Sequence, residues 1–229
     1  MISVENVSLS FGRKSICKNV TFTAKKGEIT CLIGINGVGK TTMLKAIANL
    51  LPIKSGHITI DGTTMNASKQ KEVIFIPDLL PMSPSFTIHE GILFMKDFYT
   101  NWNDHRCEEL LTFFKIDSKQ KISQLSKGSL AKVNLLLGLS VDASYVIMDE
   151  PFSGIDLFSR EEIASLFASG FLEDKGILMT THEIRDIEHL IDKAILLKDG
   201  TTIKEFYTED MRFEEGKSIE DVMRDVYVM

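Results

Sequence analysis

The stretch "IGINGVGKTT", residues 33–42, sets three glycines around one lysine and follows them with two threonines. Gly34, Gly37 and Gly39 remove side chains where the chain must turn tightly, and they let backbone N–H groups approach a neighbour closely. The apolar run before it, "EITCLIG", reads as a buried strand. After it, Met43, Leu44, Ile47, Leu50 and Leu51 in "TTMLKAIANLL" fall at helical spacing. The glycines therefore join a strand to a helix N-terminus, where the helix dipole and the first-turn amides favour an anion. Gly34, Gly39, Lys40 and Thr41 fit G-x-x-x-x-G-K-[ST], a loop whose amides hold phosphates, whose Lys reaches the outer ones and whose Thr meets Mg²⁺.

Upstream of this loop, residues 1–34 alternate β-branched and aromatic residues with turn signals at Phe11-Gly12 and Lys26-Gly27, which predicts antiparallel strands. Downstream, "SGHITIDG" reads as a short strand and "KEVIFIPD" as a buried one ending at Pro77. Strand signals then stop. "TIHEGILFMKDFY", "DHRCEELLTFFKI" and "SLAKVNLLLGLS" have helical periodicity, which predicts a helical insertion. "SYVIMDEP", "KGILMTTH" and "KAILLKDG" return to strand character, with helical stretches "FSREEIASLFASGFLED" and "EIRDIEHLI" between them. That alternation predicts a parallel sheet covered by helices. In the tail "SIEDVMRDVYVM", Ser218 caps a helix whose Ile219, Val222, Met223 and Val226 form one apolar stripe for docking on the domain or a partner.

With 229 residues, 44% of them hydrophobic, the chain has enough apolar material for a full core. Its 26 Lys and Arg stand against 32 Asp and Glu, a formal net charge of -6, and no long basic block marks a nucleic-acid surface. Cys17, Cys31 and Cys107 are odd in number and widely spaced, which fits neither a disulfide framework nor paired zinc thiols and points to a reducing compartment. The opening residues lack the basic and apolar segments of a secretory signal. No window approaches the ~18 to 20 uncharged apolar residues of a membrane span, so any service to a membrane is given from outside the bilayer.

"YVIMDEP" sets Asp149 and Glu150 at the end of an apolar strand, where two adjacent carboxylates are costly to bury without a cation or hydrogen bonds. In phosphoryl transfer the first such acid assists Mg²⁺ and a neighbouring acid takes a proton from the attacking water.

With these residues placed, the chain resembles the nucleotide-binding subunit of ATP-binding-cassette (ABC) transporters along nearly its whole length. "GINGVGKTT" corresponds to Walker A and "YVIMDE" to Walker B. "LSKGS", residues 125–129, resembles the signature usually written LSGGQ, "SGID" the loop that communicates across the dimer, and "TTHE" the switch-histidine segment. The resemblance implies an α/β P-loop NTPase cassette: a mixed, mainly parallel sheet core with an antiparallel β subdomain and an inserted helical subdomain. One domain would cover 1–229, with core at 1–78 and 139–205, helical subdomain at 79–138 and a helical tail at 206–229. It further implies that Asn36, Gly37, Gly39, Lys40, Thr41 and Thr42 hold ATP phosphates and that Phe11 stacks on adenine. Thr41 and Asp149 would meet Mg²⁺, Glu150 would be the general base, and His182 would contact the γ-phosphate. Ser126, Gly128 and Ser129 would reach the γ-phosphate of ATP bound on a second cassette.

Three positions depart from the family pattern. Asp78 stands where a glutamine should follow "VIFIP"; an ionised Asp only accepts hydrogen bonds, so a contact to Mg²⁺ or its waters survives while others change. Lys127 replaces the first signature glycine and Ser129 the terminal glutamine. Such "LSKG" variants resemble a bacterial exporter branch handling peptides, lantibiotics, ions or drugs, and "FMKDFYTNWNDHRCEELL" resembles its phenol-soluble-modulin exporter type. The resemblance thus implies an ATPase on the cytoplasmic face of the membrane. Its partners would be transmembrane permease subunits and a second cassette, either a copy or a paralogue, and no nucleic acid. Two alternatives stay open: a soluble ABC ATPase acting on ribosomes or DNA, and a degenerate cassette that holds ATP without turning it over.

Overall fold

A computed structural model describes residues 1–66 and 69–227. The chain opens with the hairpin β1 (Ile2–Phe11) and β2 (Lys14–Ala24), then β3 (Ile29–Ile33), helix α1 (Lys40–Ile47), β4 (Ser55–Ile60), β5 (Thr63–Thr64) and β6 (Val73–Ile76). Three helices follow without an intervening strand: α2 (Ile88–Phe98), α3 (Asp104–Phe113) and α4 (Lys127–Leu139). The remainder runs β7 (Tyr145–Asp149), α5 (Leu157–Ala168), β8 (Gly176–Thr181), β9 (Lys193–Lys198), β10 (Thr201–Tyr207), α6 (Thr208–Glu215) and α7 (Ile219–Tyr227). One sheet is antiparallel in the order β2-β1-β4-β5; the other runs β10-β9-β3-β8-β7-β6, with β9, β3, β8, β7 and β6 parallel to their neighbours and β10 antiparallel at the edge. This is the fold class that the sequence implied.

The central strands are apolar throughout because both faces are covered, as parallel sheets require. Cys31, Ile33, Val146, Met148, Ile177 and Met179 face the helices α3 to α5, whereas Leu32, Ile147, Leu178 and Ile195 face α1 and the antiparallel sheet. Helix starts follow side-chain capping. Thr87 and Glu90 form a reciprocal capping box on α2, Asn103 caps α3, and Ser126 caps α4 by accepting from Ser129 N–H at 3.2 Å. On α7, Ile219 and Val222 are buried and Met223 and Val226 pack beside them, so the stripe docks on the domain. Residues 228 and 229 of that tail lie outside the described residues.

Four expectations are corrected. Helix α1 stops at Ile47, because Asn49 turns left-handed (φ 59), and Leu50 ends up 52% exposed instead of on the buried stripe. α5 ends at Ala168, where Ser169 becomes extended, instead of continuing through "SGFLED". "EIRDIEHLI" forms no helix beyond one 3-10 turn at Glu188–Leu190. Its buried Ile184, Ile187 and Ile191 have helix-like spacing because successive turns bond Ile187 N–H to Ile184 O, Leu190 N–H to Ile187 O and Ile191 N–H to Glu188 O. Finally, β10 is a strand the sequence reading did not draw. Asp199 (φ 51) and Gly200 (φ 77) make the two-residue hairpin turn that an Asp-Gly pair favours.

One buried cation gives the fold a testable pH response. Lys175, just before β8, is 7% exposed at its side chain and donates to Ala143 O at 2.6 Å. Burial, aided by Arg106, pulls its pKa from 10.5 down to about 8. Between those values the unfolded chain holds more protons at this site than the folded one, so stability rises with pH through the window and the gain is absent below it. Lys175→Met should remove roughly 2 kcal/mol of that rise. Urea-unfolding midpoints of parent and variant across the window measure the difference, and parallel curves would refute it.

Candidate active site

The loop between β3 and α1 needs its glycines for different reasons. A Cβ on Gly34 would lie 2.7 Å from Val38 Cγ1 and 2.8 Å from Leu197 O, contacts real Cβ atoms do not make. Gly39 combines a φ of 111 with a Cβ position 2.7 Å from Cys17 Sγ, so β2 presses directly against the loop. Burial pushes the Cys17 thiol up to about 11, which keeps it neutral beneath the loop. No side chain caps α1 and its first turn holds no acid. A helix start of this kind, with glycine backbone before it, is suited to an anion.

Lys40 is buried and folds back to donate to Gly34 O at 2.7 Å, with Nζ 3.7 Å from Glu150 Oε1. Thr41 Oγ1 donates to Asp149 Oδ1 at 2.9 Å, and Thr180 Oγ1 donates to the same oxygen at 2.7 Å. Asp149 is buried, so these hydroxyls supply the compensation its position demands. Glu150 leaves β7 in a left-handed conformation (φ 51), its N–H bonded to Thr180 Oγ1 at 3.0 Å and Thr180 O at 3.2 Å. Its Oε2 meets His182 Nδ1 at 2.7 Å and accepts from His182 N–H at 3.2 Å. Bonded this way the ring carries a proton on Nδ1, and Nε2 can donate to an anion when it too is protonated.

Sheet order explains this convergence. β8 lies between β3 and β7 with Asp149 opposite Thr180 and Ile33 opposite Thr181, so the loop, both acids and His182 leave adjacent strands at one edge. Ligands of open α/β sheets bind at that carboxyl edge. Asn36 and Gly37 stand exposed at the loop crest and Thr42 is half-buried in the first turn of α1. Asp78 is exposed two residues past Ile76, whose pairing with Met148 brings the chain to the same edge.

The remaining predicted residues stand apart from this bonded set. Phe11 is 56% exposed where β1 meets its turn. Ser126, Gly128 and Ser129 lie at the start of α4, and Gly128 packs on α5: a Cβ there would overlap Ser159 Oγ and come within 2.9 Å of Asp156 Oδ2. Asp156 caps α5 by accepting from Ser159 N–H at 3.0 Å and Ser159 Oγ–H at 2.7 Å, bonds that hold its carboxyl below the usual range. Lys127 reaches the loop at Gly154.

Two residues of this neighbourhood went unremarked in the sequence. Thr180 lies near the end of β8 and carries no local signal of its own, since its role comes from pairing opposite Asp149. Asn134, a lone amide in the apolar "VNLLLGL", is buried and donates to Pro77 O at 2.5 Å, joining α4 to the start of the Asp78 loop.

Residues 17–153 match the family profile described as ABC transporter. The chain belongs to that family and is an ATP-binding, ATP-hydrolysing cassette. It is 32% identical over 216 residues to the Nod factor export ATP-binding protein I of Burkholderia orbicola, covering 89% of this chain and 70% of that one. It is 30% identical over 213 residues to the linearmycin resistance ATP-binding protein LnrL of Bacillus subtilis, covering 89% and 68%. Similarity extends to the ribose import ATP-binding protein RbsA of Oceanobacillus iheyensis at 26% identity, covering 93% of this chain and 46% of that one. Among solved structures, one described as the ATP-binding subunit of an ABC transporter superposes with a TM-score of 0.87 at 24% identity, over 99% of both chains.

Proposed function

We propose that the chain is the motor of an ABC exporter, closing on ATP with a second cassette and driving separate transmembrane subunits from the cytoplasmic face of the membrane. The observation that carries this reading is the single bonded set of Lys40, Thr41, Asp149, Glu150, Thr180 and His182 beside an uncapped helix start. In it, the amides of Asn36, Gly37 and Gly39 with Lys40, Thr41 and Thr42 hold the phosphates, and Phe11 takes the adenine face. Glu150 accepts the proton of the attacking water, and His182, braced by Glu150, offers its ring to the γ-phosphate. Ser126, Gly128 and Ser129 serve the nucleotide of the opposite cassette.

A divalent ion fits the donor chemistry: Thr41 Oγ1 and Asp149 Oδ1 are hard oxygens 2.9 Å apart. Among the described residues no group of three His, Cys, Asp or Glu is placed to cage a metal. Mg²⁺, which binds through few protein oxygens plus phosphate and water, suits that arrangement, with Asp78 as a further oxygen at the edge. When bound it would offset phosphate charge.

Export, with a peptide toxin, antimicrobial peptide or drug as cargo, is supported by the export and resistance relatives and by the "LSKGS" variant. Among the described residues no helix is long and apolar enough to cross a membrane. Leu93, Phe94 and Phe98 are exposed on α2, with the Phe94 and Phe98 rings stacked at 6.4 Å, and supply an apolar seat for a permease segment. Fractionation tests the reading. The chain should sediment with membranes, leave them with detergent together with a polytopic partner, and hydrolyse ATP severalfold faster when that partner is returned. Sedimentation with ribosomes after detergent would overturn it.

A further inference from the structure

His182 stands just past β8, on a segment that runs from residue 182 to 186 without helix or strand. Such backbone shifts unless side chains pin it. Room to shift exists: His182, Arg160, Arg185 and Met223 line a cavity of about 410 Å³. The residue after His182 supplies a pin. Glu183 accepts from Gly154 N–H at 3.3 Å through Oε1 and from Arg160 Nη2 through Oε2. The second arm of the Arg160 guanidinium, Nη1, bonds Asp186.

Arg160 lies on α5 one turn after Asp156, with its side chain 17% exposed and its Nε without a hydrogen-bond partner among the described residues. A partly desolvated ion pair is weak evidence for stability, since apolar replacements of such groups are often neutral or stabilising. What this arrangement does supply is geometry, because a planar fork fixes two carboxylates at once. Arg185 tethers the same segment outward, bonding Glu220 on α7 at 2.7 and 2.8 Å, but it is 72% exposed and correspondingly screened.

We propose that Arg160 is a positioning residue for ATP hydrolysis, clamping Glu183 and Asp186 so that His182 stays on Glu150 and so that this pair is tied to the 153–156 loop. The inference rests on the roles given above to Glu150 and His182.

The test compares Arg160→Met, Arg160→Lys, Glu183→Gln and the double variant Arg160→Met/Glu183→Gln with the parent and with Glu150→Gln. Turnover, affinity for a nonhydrolysable ATP analogue and thermal midpoint are read for each. Arg160→Met should lower kcat about ten- to a hundredfold, the scale of a misplacement of about 1 Å, while affinity stays within about twofold. Arg160→Lys should recover only part of the loss, since an ammonium cannot serve both carboxylates in one plane. The double variant should be no worse than the weaker single one, as expected of two halves of one contact. Parent-like kcat in Arg160→Met, a fall that follows affinity or folded fraction, or additive losses would each overturn the proposal. If Glu150→Gln is inactive in the same series, the site reading survives that failure. If Glu150→Gln turns over like the parent, the site reading fails first and the positioning role falls with it.

Discussion

Glu150→Gln is expected to bind ATP nearly as well as the parent and to hydrolyse it at least about a hundredfold more slowly, the scale of a lost general base. The substitution preserves size, and the amide oxygen can replace Oε2 in the bonds from His182 Nδ1 and N–H. What it removes is basicity. It also removes the charge that lies 3.7 Å from Lys40 Nζ, so the lysine is released from an internal attraction and remains free for phosphate. Affinity therefore has no reason to fall. Two cassettes closed over uncleaved ATP should accumulate, since the event that separates them no longer occurs. Single-turnover phosphate release gives the rate, and gel filtration in ATP reports the dimer. Unchanged steady-state hydrolysis would remove Glu150 from the role of base.

The parts of this site legible in the sequence are those that lie together along the chain. The glycine spacing around Lys40 and the Asp149-Glu150 pair at the end of an apolar run carry their chemistry within a few residues. The partners that complete them do so across strands. Thr180 compensates Asp149 only because β7 and β8 pair in the register that sets them opposite each other, and no local pattern states that register. Arg160 is equally silent, because one arginine on a helix looks the same whether it meets solvent or two carboxylates. The fold divides in the same way. Buried parallel strands announce themselves by continuous apolar runs. The "EIRDIEHLI" segment misled because successive turns and helices both bring buried side chains round every three to four residues. β10 was missed although its Asp-Gly turn was present, because the strand alternates burial weakly at the sheet edge.

Lys40→Ala is expected to weaken ATP binding about ten- to a hundredfold, which corresponds to losing a charge-assisted hydrogen bond of about 1.5–3 kcal/mol. Alanine keeps the helix propensity of the first turn, so the loss does not come from α1 unravelling. Two groups nevertheless lose their cation: Gly34 O, bonded at 2.7 Å, and Glu150, whose side chain is only 15% exposed. A carboxylate left at the loop without that lysine repels phosphate, which adds to the direct loss. Lys40→Arg should not restore binding, because the pocket fits a compact ammonium 2.7 Å from a carbonyl and a planar fork is larger and fixed in direction. Calorimetric titration with a nonhydrolysable ATP analogue measures the loss, and adenosine, which lacks phosphates, should show no difference between parent and variant. Undiminished affinity for the analogue would place the phosphates elsewhere. An equal loss for adenosine would mean that the substitution had disturbed the fold instead of the charge.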